Sequence, residues 1–365
     1  MRVLAGYIEN LQRSGIDKFL LNVLSIAKEK NIQLDFLSSV YDENAVSYLN
    51  DLGVKVHKVH SLKTPLKHFN DVKNIISNGK YDRAYFNISE PLNMCGALAS
   101  HSLKIKTIIH AHASSVDENN KIKRIIRIVI NKICRLVLHK AGDTLLACSN
   151  KAGEWMYPKS ARNTNKYKVI YNFVDGALFK YAPNPDYELR HEFNIADSTL
   201  LVGFTGSFCY VKNNFFLIDI MRELIKKQPN SKMLLIGTGE DFEAVRNKAA
   251  SLSLQENMLF LGVRKDWPRL IRMLDVFILP SRAEGFPLVA LETQLTGIPT
   301  VISDKIDAAV AFNNAVSLPI NSATKWADVI IELSKYNRLE PTDEMKSLFS
   351  LEHCKEEIFN LVFGG

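Results

Sequence analysis

The sequence predicts an α/β protein made of two successive parallel sheets, each doubly wound with helices on both faces. Three observations carry this. Short apolar runs alternate with longer helical stretches along the whole chain, which is the rhythm of βαβ units. The 365 residues exceed one core, since single hydrophobic cores stop growing at about 250–300 residues. A polar stretch from about 172 to 196, holding Pro183 and Pro185 and little periodicity, interrupts the rhythm once near the middle.

In order along the first half, apolar runs at 2–8, 34–40, 54–59, 84–88, 107–112, 144–149 and 168–171 read as strands. The second half repeats the pattern at 200–205, 232–237, 258–261, 276–279, 300–303 and 316–319. The expected layout is a Rossmann-like domain over 1–172, a linker over 173–196 and a second Rossmann-like domain over 197–350, the two facing a cleft. No run of about 20 apolar residues exists, so no membrane-spanning helix is expected. The first residues meet Glu9 and Asn10 too soon for a signal peptide and read as a buried strand. Five scattered cysteines without a C-x-x-C pair argue against a disulfide framework or a zinc site and fit a reducing cytoplasm. A net charge of +7 bears on partners rather than fold. No nucleic-acid-binding pattern accompanies it, so no nucleic acid partner is expected, and an anionic membrane surface or phosphorylated ligands remain.

The chemistry concentrates after the run at 276–279. There the chain reads Pro280-Ser-Arg-Ala-Glu284-Gly-Phe-Pro-Leu-Val-Ala-Leu-Glu292, a strand, a Pro/Gly loop and the start of a helix. Open parallel sheets bind ligands at the carboxyl ends of their strands. Two carboxylates there can accept hydrogen bonds from sugar and ribose hydroxyls. The spacing of Glu284 and Glu292, with Glu-Gly-Phe-Pro-Leu-Val-x-Leu-Glu around it, resembles the E-x7-E signature of glycosyltransferase family 4. These are retaining enzymes of the GT-B fold, and the flavour is that of bacterial capsule and exopolysaccharide enzymes. The resemblance implies that Glu292 binds the donor ribose and Glu284 the donor sugar. Gly285, Phe286 and Pro287 would supply backbone or shape, and Leu288 and Val289 would lie near the phosphates. Pro287 has no N–H to donate. The resemblance also implies that residues 351–365 form a helix crossing back to the first domain.

Other segments fit the same frame. A turn glycine before a helix lets backbone N–H groups approach a phosphate, and Ser14-Gly15-Ile16-Asp17 partly matches the family's Gly-Gly-Ile-Glu. The resemblance implies that Gly15 lies near the donor diphosphate or the acceptor, the donor side being preferred, with Ser14 and Asp17 on the acceptor side. His110 and His112 stand at period two on one strand end and point to the same side. The resemblance makes His112 the catalytic candidate facing the transferred sugar, and His110 the acceptor-side one. Gly206-Ser207 with Lys212-Asn213 resembles the family's Gly-Arg-x-x-x-x-Lys-Asn diphosphate clamp. Lys212 is present, but Ser207 replaces the arginine, with Arg282 as a substitute cation. Gly237 begins a Gly-x-Gly turn, and Val263 and Arg264 fall in the loop that resembles a nucleobase site. No Asp-x-Asp occurs, so no metal and no cofactor are expected.

The stretch 119–140 is separate. Ile122, Ile125, Ile126, Val129, Ile133, Leu136 and Val137 recur at helical spacing among Lys121, Lys123, Arg124, Arg127, Lys132, Arg135 and Lys140, with no acidic residue. A basic amphipathic helix of this kind is a membrane-surface signal; the plainer reading is a core-packed helix with a solvated basic face. Together these imply a retaining, metal-independent glycosyltransferase. It would move a sugar from a nucleotide-diphosphate donor, by default UDP, to a lipid-linked glycan in bacterial surface polysaccharide biosynthesis. It would sit in the cytoplasm, peripherally associated with the inner face of the plasma membrane. The alternatives are a weakly active or non-catalytic glycan-assembly subunit, suggested by Ser207, or another GT-B enzyme such as a sugar-nucleotide epimerase.

Overall fold

The computed structural model describes residues 1–9, 11, 15–174, 176–312 and 314–364. Two compact units divide the chain. The first comprises Met1–Val116, Lys121–Phe173 and Leu351–Gly365; the second comprises Asp117–Asn120 and Val174–Ser350.

Seven parallel strands form the sheet of the first unit: β1 (Arg2–Gly6), β2 (Gln33–Ser38), β3 (Val56–Lys58), β4 (Arg83–Ile88), β5 (Lys106–Ala111), β6 (Thr144–Ala147) and β7 (Tyr167–Val169). Their order is β3-β2-β1-β4-β5-β6-β7. The second unit carries β8 (Leu200–Thr205), β9 (Ser231–Ile236), β10 (Met258–Gly262), β11 (Val276–Leu279), β12 (Thr300–Ser303) and β13 (Ala315–Leu318), in the order β10-β9-β8-β11-β12-β13. The sequence-expected strands all form, with shifts at their ends. They were legible because parallel strands covered on both faces need continuous apolar runs; every residue of β11 is buried.

In both sheets the winding reverses beside the first strand. β1 pairs with β2 on one side and β4 on the other, and β8 pairs with β9 and β11. Loops leaving such neighbours diverge to opposite faces and open a crevice at the strand carboxyl ends, where ligands bind.

The helix α1 (Gly15–Glu29) covers the first sheet with Phe19, Leu20, Val23, Leu24 and Ala27, each large apolar side chain contributing about 1.5–3 kcal/mol on burial. A second helix, α2 (Lys121–Ala141), occupies the basic stretch. Its inner side holds Asn131, Cys134, Leu138 and Ala141. Asn131 accepts from the Leu92 N–H at 2.8 Å and donates to Glu90 Oε2 at 2.8 Å; Arg127 also donates to Glu90. The second unit contributes α3 (Asn214–Lys227) and α4 (Leu288–Leu295). A late helix, α5 (Leu351–Ile358), belongs to the first unit. Cys354, Ile358, Val362 and Phe363 join Val3, Phe19 and Phe36 in one buried cluster. Among the described residues, no helix is long and apolar enough to cross a membrane.

Residues 174–196 are built into the second unit rather than strung outside it. Arg190 is fully buried there, donating to the Met273 carbonyl through Nε at 2.9 Å and Nη2 at 2.6 Å, and to Asp275 Oδ1 at 2.7 Å. A guanidinium survives burial only when its donors are matched in this way.

Candidate active site

In the second unit the loops after β8 and β11 leave from either side of the switch point and meet. After β8 the chain makes a single helical turn, Tyr210–Lys212, closed by Asn213 in the left-handed region at φ 58°. Asn213 Nδ2 donates to the Pro280 carbonyl at 3.1 Å, and the Arg282 N–H donates to the Val211 carbonyl at 2.7 Å. These ties place Lys212 Nζ 2.6 Å from Glu284 Oε1. Ser281 Oγ donates to the same oxygen at 2.6 Å. The side chains of Lys212 and Glu284 are only 18% and 10% exposed, so the pair is screened far less than a surface ion pair. An ammonium has three N–H donors. One is used on Glu284, which leaves capacity for an anionic oxygen. Arg282 donates to the Tyr210 carbonyl at 2.6 Å and lies 4.6 Å over the Tyr210 ring. It thereby stiffens the turn carrying Lys212. On its outer side Asp117 Oδ1 accepts the Val211 N–H at 3.1 Å.

Three glycine turns come together beside this pair. The Gly206 N–H donates to the Ile236 carbonyl at 3.0 Å, and the Gly237 N–H to the Gly262 carbonyl at 2.8 Å. A Cβ on Gly237 would lie 1.9 Å from the Gly206 carbonyl oxygen, and its φ of +132° is one that side chains rarely adopt. Glycine is therefore required for the two backbones to pass. Ser207 is exposed at the end of β8. Val263 is 54% exposed. Arg264 is engaged bidentately by Asp266, at 2.8 and 2.6 Å.

The helix α4 begins at Leu288 with Pro287 as its N-cap, so the unpaired N–H groups of a helix start fall at Leu288 and Val289. Gly285 leads into Phe286, which is buried against Phe349 with ring centroids 5.6 Å apart and so fixes the loop's shape from beneath. Glu292, 7% exposed one turn into α4, accepts from Trp267 Nε1 at 2.8 Å.

In the first unit, His112 follows β5 and bonds through Nε2 to Asn87 Oδ1 at 2.8 Å. Asn87 Nδ2 donates to the Gly6 carbonyl at 3.3 Å, which orients the amide, so His112 carries its proton on Nε2 and offers a lone pair on Nδ1. Burial pushes its pKa down to about 3. The His110 ring stands 4.1 Å from that of His112 but is fully buried and bonded to the Tyr85 hydroxyl at 2.7 Å. Its role is corrected accordingly: a side chain without exposed surface supports His112 and offers nothing to an acceptor. Asp17 is likewise fully buried, accepting the N–H groups of Glu9 and Leu11 at 3.0 Å each. It ties Glu9 and Leu11 to the first turn of α1 instead of facing outward. Gly15 is exposed at the start of α1. Ser14 lies outside the described residues.

Sequence reasoning missed Ser281, Trp267 and Asn87. Ser281 lies three residues before Glu284 in the quoted run, close enough in sequence to have been considered as its partner. Trp267 and Asn87 reach partners 25 residues away and left no local trace. Among the described residues, no group of three or more His, Cys, Asp or Glu is gathered as a cation site.

Comparison with known proteins bears on the fold and the activity. Residues 186–346 match the family Glycosyl transferases group 1. A Bacillus subtilis (strain 168) protein named "Putative glycosyltransferase EpsF" is 27% identical over 352 residues, 93% of this chain and 88% of its own. An Escherichia coli protein named UDP-Gal:alpha-D-GlcNAc-diphosphoundecaprenol alpha-1,3-galactosyltransferase is 26% identical over 266 residues, covering 70% of this chain and 68% of that one. Among solved structures, Anabaena Alr3699/HepE in complex with UDP-glucose superposes with a TM-score of 0.77 at 20% identity, covering 99% of both chains. The fold is that of GT-B glycosyltransferases. Residues 186–346 are thus similar to the glycosyl transferases group 1 family, and the chain is a glycosyltransferase.

Proposed function

We propose that this glycosyltransferase is a retaining, metal-independent enzyme of family 4 type. It would take a sugar from a UDP-sugar and pass it to a lipid-linked glycan in bacterial surface polysaccharide biosynthesis, at the inner face of the plasma membrane. The observation that carries the reading is the half-buried Lys212–Glu284 pair at the switch point of the second sheet, with Glu292 one turn into the following helix. Glu292 binds the ribose, Glu284 the sugar hydroxyls, and Lys212 the diphosphate. The names of the relatives support the substrate classes: HepE was solved with UDP-glucose, and the Escherichia coli relative is named for a UDP-Gal donor and a diphosphoundecaprenol acceptor.

In the reaction the bond from the sugar's anomeric carbon to the diphosphate oxygen breaks, and the acceptor oxygen bonds to that carbon on the same face. The acceptor's proton passes to the departing phosphate oxygen. No protein nucleophile is needed. Lys212 and the first-turn N–H groups of α4 stabilise the charge growing on the diphosphate, and they are positioned before the reaction begins. His112, neutral at physiological pH, can accept a hydrogen bond from a sugar hydroxyl through Nδ1.

The test is thermal stabilisation by UDP-, GDP-, ADP- and TDP-sugars without added metal. A ligand at a hundred times its Kd adds about 2.7 kcal/mol. Stabilisation by one nucleotide class, lost in Glu292→Ala and indifferent to a chelator, together with an NMR-defined product of unchanged anomeric configuration, supports the proposal. Stabilisation by none of them favours the weakly active or non-catalytic reading, for which Ser207 is the specific observation.

A further inference from the structure

Eight of the twenty large hydrophobic side chains exposed among the described residues lie on the single helix α2, between Ile122 and Val137, each 38–70% exposed. At the 3.6-residue repeat they fall within about 140° of the helix circumference. The side fastened to the first unit is a different one, made by Asn131, Cys134, Leu138 and Ala141. The helix therefore turns its apolar stripe outward, the reverse of a surface helix that covers a core. An apolar patch of this extent marks an interaction surface.

We infer that this stripe inserts into the boundary between the headgroups and acyl chains of an anionic lipid bilayer, with α2 lying in the membrane plane. Charge complementarity selects this occupant. At helical spacing Lys121 and Lys132 border one edge of the stripe and Lys140 stands at its C-terminal end, all exposed. The helix contains no acidic residue. A protein partner would need a facing apolar and acidic surface, whereas an anionic bilayer supplies both in the order found here, charge at the rim and hydrocarbon at the centre. The 21 residues span about 30 Å, long enough to lie along the surface over several headgroups. Because Arg127, Asn131 and Glu90 already hold α2 in place, binding requires no coil-to-helix ordering. The inference rests on the membrane location proposed above and deepens it. It replaces attraction by a basic face with insertion of an apolar one.

The experiment is vesicle flotation of the full chain with phosphatidylcholine alone or mixed with phosphatidylglycerol, at low and high salt. Wild-type protein should float with the mixed vesicles and remain bound in part at high salt, because apolar insertion is not screened. Ile126→Gln with Ile133→Gln should reduce partitioning by about thirtyfold, and Lys121→Gln and Lys132→Gln by about fivefold each. Glutamine is a good helix former, and all four positions are exposed, so the melting temperature and UDP-sugar stabilisation in vesicle-free buffer should be unchanged. Ile133→Trp should add blue-shifted emission that acyl-brominated lipids quench. The inference is overturned if wild-type protein does not float, if the double isoleucine variant floats like wild type, or if the added tryptophan stays unshifted. It is also overturned if wild type sediments as a dimer that the isoleucine changes dissolve without any vesicle binding. Flotation without stabilisation by any nucleotide-sugar would instead retain the membrane surface and remove the donor reading.

Discussion

Lys212 and Glu284, separated by 72 positions in sequence, meet at 2.6 Å where the second sheet reverses its winding. The Glu284 oxygen that Lys212 contacts also receives the Ser281 hydroxyl. A carboxylate held by two donors has little freedom to rotate, so the proposed sugar-binding group is set before substrate arrives.

Removing one of those donors should show this. Ser281→Ala leaves Glu284 paired with Lys212 but less constrained. A hydrogen bond to a charged group is worth about 1.5–3 kcal/mol, so kcat/KM should drop by roughly ten- to a hundredfold with little change in melting temperature. Steady-state kinetics of Ser281→Ala beside Glu284→Ala provide the comparison. A fully active serine variant next to an inactive glutamate variant would exclude the positioning role.

Trp267 stands in the same relation to Glu292, donating its indole N–H at 2.8 Å. Trp267→Phe keeps a ring in the packing and deletes the donor. UDP should bind about tenfold more weakly, by titration calorimetry. In a double-mutant cycle with Glu292→Gln the two losses should not add; additive losses would mean that Trp267 acts by bulk alone.

His112 gives the stability a pH dependence. Its pKa falls from an ordinary 6.5 to about 3 on folding, through burial, and His110 shifts the same way. Between those values the unfolded chain binds protons that the folded chain refuses, so stability is full above about pH 6.5 and declines as pH drops toward 3. His112 contributes up to about 1.4 kcal/mol per pH unit in that window. Urea unfolding at pH 7 and pH 5 should show the loss, and His112→Gln should reduce it. An identical slope in the variant would contradict the assignment.

Ser207 sits exposed at the end of β8, where the resembled clamp has an arginine. In a working enzyme short of one phosphate contact, Ser207→Arg should lower donor KM or raise kcat severalfold. Unchanged turnover, with unchanged nucleotide affinity, would indicate a chain that does not use this loop on a diphosphate.

Much of the fold could be read directly because buried parallel strands leave continuous apolar runs; β11, with its four buried residues, is the plainest case. Glu284 and Lys212 were legible as separate motif residues, but their meeting depends on strand order, which no local pattern encodes. The histidine pair was visible as period two, yet the depth of His110 was not, since alternation assigns a side of the sheet and says nothing of what covers it. For α2 the spacing revealed an apolar stripe without revealing which way it turned. The inward face proved to be made by the less conspicuous Asn131, Cys134 and Leu138.

The return of α5 to the first unit also orders events in time. Cys354, Ile358, Val362 and Phe363 complete a cluster that begins with Val3, yet they are translated only after all of Val174–Ser350. At 5–20 residues per second, that delay is roughly 10–35 s. Throughout it the nascent first unit has an open seam along α1, while the second unit has every segment it needs to close as soon as it leaves the ribosome. On the ribosome the later-made half should therefore reach its finished state first, and a nonsense codon near position 350 should cripple the half of the protein farthest from it in sequence.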